Sequence, residues 1–80
     1  MVYCNYISNT ADEVHYAYGG TTQDISGEVV FNFNEEYIEI LKEPNNNNDE
    51  VLEKYLSKLY YKNKPDFIKG IFKKKLSYEI

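Results

Sequence analysis

Gly27–Lys42 reads GEVVFNFNEEYIEILK, and this stretch decides the fold. Val29, Phe31 and Phe33 recur every second residue, the period of a strand buried on one face only. Glu36–Lys42 alternates in the same way. With Asn34 and Glu35 as the turn, Phe31 falls opposite Ile38 and Val29 opposite Ile40, so all four share one face. A slip of one residue would set Phe31 against Tyr37 or Glu39 and mix apolar with charged side chains. The register of this hairpin is therefore fixed by its own pattern, and each in-register apolar pair is worth about 0.2–1 kcal/mol. Asn-Glu is a weaker turn signal than Asn-Gly, which leaves room for a longer loop. The other face carries Glu28, Val30, Asn32, Tyr37, Glu39 and Leu41 and is mixed in character.

Working toward the N-terminus, Val2–Ser8 and Val14–Tyr18 are rich in β-favouring residues and predict a second hairpin around Asn9-Thr10-Ala11. Pairing Cys4 with Tyr16, Tyr6 with Val14 and Val2 with Tyr18 collects the apolar side chains on one face. Gly19-Gly20 ends the second strand. The polar connection TTQDIS (residues 21–26) carries Ile25, which the pattern expects to turn back into the core.

Toward the C-terminus, Pro44 and the Asn45–Asn48 run stop the sheet. Asn47 as N-cap would place Glu50 at the third helical position, a capping-box arrangement. Val51, Leu52, Tyr55, Leu56, Leu59 and Tyr60 then form a broad helical stripe. Lys54, Lys58 and Lys62 lie four apart on another flank, with Glu50 and Lys54 in the favourable order for a pair. The pattern predicts a helix over 49–62, ended by Asn63 and Pro65. Residues 66–73 (DFIKGIFK) fit a short helix opened by Pro65, except that Gly70 opposes it by about 1 kcal/mol. Leu76, Tyr78 and Ile80 alternate and read as a last strand able to join the sheet.

Strands followed by helix indicate α+β: a small single domain in which an antiparallel sheet of four to five strands packs on one main helix. A chain of 80 residues buries only about 60 % of its unfolded surface. Its nine tyrosines and four phenylalanines therefore carry much of the core. No run approaches the length of a membrane span, the first residues lack the pattern of a secretory leader, and one cysteine allows no internal disulfide. A cytoplasmic location is the expectation.

Charge is sorted along the chain. Residues 1–53 hold eleven acids and one lysine; residues 54–80 hold eight lysines and two acids; the net charge is −4. Arginine is missing, so no side chain offers the planar fork that clamps phosphate or reads guanine. An A+T-rich coding sequence accounts for the surplus of asparagine, lysine, tyrosine and isoleucine without any functional demand.

The candidate chemistries are thin. Cys4 and His15 are the one thiol and the one imidazole, but strand phase sends them to opposite faces, which opposes a nucleophile–base pair. Asp12-Glu13 and Glu35-Glu36 are adjacent acids that diverge rather than converge. NNNNDE lacks the ligand spacing of a calcium loop, and GGTT (19–22) lacks the lysine and glycine spacing of a phosphate loop. No resemblance to a known family emerges, and neither an enzyme activity nor a cofactor is expected.

What remains is surface. Glu28, Glu35, Glu36, Tyr37 and Glu39 make an acidic, tyrosine-bearing face suited to another protein with a basic surface. The first expectation is therefore an acidic protein-binding module, an inhibitor or accessory factor of a nucleic-acid-handling or defence protein. Small inhibitors of this kind are often encoded by phages and other mobile elements. The alternative is a weak nucleic-acid binder that uses Lys69, Lys73, Lys74 and Lys75 with Phe67, Phe72 and Tyr78 interleaved. A third reading is a self-associating homo-oligomer whose acidic sheet meets the lysines of a neighbour.

Overall fold

Five strands and one helix follow in the order β1 (Val2–Asn9), β2 (Glu13–Gly19), β3 (Gly27–Asn32), β4 (Tyr37–Lys42), α1 (Asp49–Ile68) and β5 (Lys75–Tyr78). They are those of a computed structural model, which describes residues 1–45 and 49–78, the side chains of 49–51 excepted. The sheet is antiparallel throughout, in the order β4-β3-β2-β1-β5. This is the expected α+β architecture. The radius of gyration, 11.3 Å, matches the roughly 11.6 Å of a fully packed chain of this length. The Asn47 cap and the Glu50–Lys54 pair lie outside the described residues, as do Glu79 and Ile80.

The β3–β4 hairpin has the register its pattern requires, with Phe31 opposite Ile38 and Val29 opposite Ile40. The last pair is Asn32 with Tyr37, so the turn takes four residues, Phe33–Glu36. Asn32 makes that turn workable. Its side-chain oxygen accepts from the backbone N–H of Asn34 (3.1 Å) and Glu35 (2.7 Å), an Asx turn that satisfies otherwise orphaned donors. Glu36 closes the turn at φ 60°, a left-handed conformation uncommon outside glycine and asparagine.

The β1–β2 register differs from expectation by two residues. Cys4 faces Tyr18 and Tyr6 faces Tyr16, and a bulge at Ile7 then sets Asn9 against Val14. The turn sits further along than Asn9-Thr10-Ala11. The Thr10 N–H donates to the Glu13 carbonyl (2.8 Å), while the Thr10 hydroxyl accepts from the N–H groups of Asp12 and Glu13. A two-residue shift keeps every side chain on its face. Val2, Cys4, Val14, Tyr16 and Tyr18 are accordingly all buried. At Gly19 the following loop comes so close that a Cβ would lie 1.6 Å from the Asp24 carbonyl oxygen.

The helix runs to Ile68, through Asn63 and Pro65, rather than stopping at 62. There is no separate helix over 66–73. Proline there removes the N–H that would bond the Tyr61 carbonyl. Tyr61 and Pro65 lie on the exposed side, where solvent can take the vacated bond. Tertiary packing holds the last turns. Phe67 is 1 % exposed and lies within 6.3 Å, ring to ring, of Tyr16, Phe31, Phe33, Tyr60 and Phe72. Gly70 is the terminator of the helix, not an obstacle within it. Its φ is +79°, its N–H donates to the Phe67 carbonyl, and the Ile71 N–H donates to the Asp66 carbonyl. That pair of bonds is a Schellman motif. Replacing Gly70 by alanine should cost about 1 kcal/mol, because a Cβ disfavours the left-handed region. A urea titration reads this directly, and an unchanged midpoint would contradict it.

The core lies between α1 and one sheet face. Phe31 is at its centre, stacked on Tyr60 (5.7 Å) and Phe67 (5.9 Å) and tilted against Tyr16 (6.0 Å). The Tyr16 hydroxyl donates to the Lys73 carbonyl at 2.8 Å and the Tyr6 N–H to the Lys74 carbonyl at 2.8 Å. These bonds fasten the connection from α1 into β5, and β5 pairs with β1 at the sheet edge.

Candidate functional site

One helix covers one face of this sheet; among the described residues no helix or strand lies over the opposite face, where the loop after Gly19 folds against one end. Alternation delivers to that face the side chains of Tyr3 and Asn5 from β1, Glu13, His15 and Ala17 from β2, Glu28, Val30 and Asn32 from β3, Tyr37, Glu39 and Leu41 from β4, and Lys75 and Ser77 from β5; the bulge at Leu41 adds Lys42, which pairs with Glu28. The cross-strand pairs set them in rows. Lys75, Asn5, Ala17, Glu28 and Lys42 run side by side; His15, Val30 and Glu39 form the next row; Glu13, Asn32 and Tyr37 the one after.

Acid predominates over β2, β3 and β4 of this face. Glu13, Glu28 and Glu39 stand there, with Lys42 opposite Glu28 and Lys75 at the β5 edge. Glu28 and Glu39 are diagonal neighbours, about 7–8 Å apart at the backbone. The Glu28 carboxylate lies 3.0 Å from His15 Nε2, beside Ala17 and Val30. Tyr37 and Leu41 are 40 % and 50 % exposed, which makes them the large apolar contacts on this face.

Of the expected acidic surface, Glu28, Tyr37 and Glu39 are brought together on the uncovered face. Glu35 and Glu36 are not. Both sit in the β3–β4 turn, and the Glu36 carboxylate is ion-paired with Lys64 of α1. The turn conformation at Glu36 directs the side chain toward the helix, which strand alternation alone does not reveal. Glu13 and His15 are the additions. They share the phase of Ala17, opposite to Val14 and Tyr16, so the period-two signal was present once β2 is allowed to begin at Glu13.

Cys4 and His15 lie on opposite faces. Cys4 is 1 % exposed in the core, and burial pushes its thiol from 9.0 up to about 12. A thiol so far above neutrality is a poor nucleophile. Among the described residues, no three histidine, cysteine, aspartate or glutamate side chains gather to hold a metal ion. No helix of the described residues is long and apolar enough to cross a membrane.

Lys69 lies just beyond α1, Lys73 and Lys74 in the connection, and Lys75 opens β5; all four are exposed. The aromatic residues interleaved with them are engaged elsewhere. Phe67 is buried, and Phe72 stacks on Phe67 (5.9 Å) and Tyr6 (6.3 Å). Tyr78 packs on Tyr55 (6.0 Å), with Lys58 Nζ 5.9 Å from its ring centre.

No family model, curated protein or solved structure matches the chain. The uncovered face therefore has to be interpreted from its own chemistry.

Proposed function

We propose that the protein is a small non-enzymatic binding module. It docks through the uncovered sheet face on a basic surface of another protein, one whose own ligand is nucleic acid, as an inhibitor or accessory factor. The observation that carries this reading is the grouping of Glu13, Glu28 and Glu39 with Tyr37 and Leu41 on a face that no helix covers. Carboxylates in that arrangement complement lysine- and arginine-lined grooves. They would mainly speed association and select the partner, while the tyrosine and leucine supply the apolar anchors on which affinity depends. The lysine cluster supports a nucleic-acid reading less well. Without free aromatic platforms or arginine it offers point charges alone.

The test reverses charge on residues that do not hold the fold. Glu36 is unsuitable because Lys64 depends on it. Glu13→Lys with Glu39→Lys leaves the core and the His15–Glu28 contact in place. In a nuclease-treated lysate of the native host, the wild-type chain should retain basic, nucleic-acid-handling proteins. Retention by the double variant should drop at least roughly tenfold, the effect of losing two complementary charges at about 0.7 kcal/mol or more each. Equal retention by both chains would rule this face out.

A further inference from the structure

The two edges of the sheet are not alike. β5 has four residues and is led in by Lys73, Lys74 and Lys75, the kind of lysine-rich, short edge that resists pairing with another chain. β4 has six residues, and its one lysine, Lys42, stands at the end. A bulge at Leu41 disturbs only that same end, leaving Tyr37–Ile40 regular. Most of β4 is therefore an unprotected edge.

Beside it on the helix side is an open groove of about 290 Å³ lined by Ile38, Ile40, Leu56, Ser57 and Glu53. Ile38 and Ile40 point to the core face, yet they are only half-buried because α1 stops short of covering them. Among the described residues, Glu53 lines the groove and Glu35, Glu39 and Glu43 lie on or beside β4, all exposed, with Lys42 at the end of the strand. Lys64 is already engaged by Glu36.

The geometry points to a strand-addition site: β4 accepts an extended segment of a partner protein in which aliphatic residues alternate with lysine or arginine. Backbone bonds to β4 would supply much of the affinity, as in other sheet-edge recognition. Every second side chain would drop into the groove against Ile38, Ile40 and Leu56. The cations between them would point to the other face, toward Glu39. A second copy of this chain is a poor occupant, because β4 against β4 would bring two sets of these acids together. The site uses the backbone edge and the helix side of β4, whereas the uncovered face uses the side chains of Tyr37, Glu39 and Leu41 from the same strand.

An end-capped octapeptide of alternating valine and lysine is the probe, titrated at low salt into the isotope-labelled full chain and followed by amide chemical shifts. Saturable shifts are expected at Tyr37–Lys42 and at Glu53–Ser57. N-methylation of alternate peptide nitrogens should weaken binding roughly tenfold, since it removes backbone bonds. Glu39→Lys, an exposed β4 position, should weaken it roughly fivefold, the size of one exposed ion pair. The N-methyl arm needs no protein variant, so it holds even if a substitution disturbs folding. Four results would overturn the proposal: no saturable shift; equal binding of a valine–glutamate peptide; dimerisation of the chain through β4; or shifts confined to Glu13, His15, Ala17 and Glu28. The last would leave the uncovered face as a binding site and remove this one.

Discussion

Phe67→Ala should destabilise the domain by about 3–5 kcal/mol, the usual cost of emptying a large buried aromatic site. A chain of this length is stable by about 4–12 kcal/mol, so the variant should sit near or within its unfolding transition at ambient temperature. The residue is 1 % exposed and meets five other rings. Alanine would leave a void bounded by Phe31, Tyr60 and Phe72 that rigid rings cannot close. The effect should also have a location. Phe67 is the contact that keeps α1 helical beyond Pro65, so the amides of Lys69, Gly70 and Ile71, which close the helix end, should lose exchange protection first. Ile68→Ala is the control, being 62 % exposed, and should change stability by no more than about 0.5 kcal/mol. Urea unfolding measures both. Similar midpoints for the two variants would mean that the helix end is held by something other than Phe67.

The same residue explains where the sequence misleads. Local rules stop the helix at Asn63 and Pro65, because proline lacks a donor and clashes with the preceding turn. Those rules are local, while the burial of Phe67 against Phe31 joins residues far apart in the chain. Propensity yields when a large apolar contact opposes it. Gly70 was misread for a related reason. A glycine opposes a helix interior but favours its end, and only the position of the end tells which applies. The β3–β4 register, by contrast, was legible from Val29 to Asn32, since both strands alternate there and a one-residue slip would bury a glutamate; the bulge at Leu41, which sets Lys42 against Glu28, was not. The β1–β2 register was legible only modulo two. Period-two alternation specifies the face, whereas the Thr10 turn and the Ile7 bulge set the pairing. The acidic surface was legible in part for the same reason. Glu28, Tyr37 and Glu39 follow from strand phase; Glu36 does not, because a left-handed turn residue escapes the alternation.

Above pH 9 the domain should lose stability faster than its exposed lysines and tyrosines alone would cause, and Cys4 should account for a separable share. Burial pushes the Cys4 thiol from 9.0 to about 12. The Tyr16 phenol is also raised, chiefly by burial and further by the nearby Cys4 and Tyr6. Both groups are neutral when protonated, and the folded core favours that form. The unfolded chain gives up these protons at ordinary pH values, so at alkaline pH it binds fewer protons than the folded chain. Stability is then at its full value below about pH 9 and falls as pH rises toward 12. The thiol alone is worth about 4 kcal/mol at full development, and about half that midway. Cys4→Ala removes the thiol contribution without touching the exposed groups. It should begin less stable at pH 7, by about 1 kcal/mol for the lost packing, and lose less on going to pH 10.5. Urea midpoints for the two chains at pH 7, 9 and 10.5 should therefore converge and then cross, with Cys4→Ala the more stable at pH 10.5. Parallel slopes would show that the thiol ionises freely in the folded state and that Cys4 is reachable by solvent. A thiol reagent would then label the native chain as fast as its unfolded form, which a residue walled in by Tyr18 and Leu76 should resist.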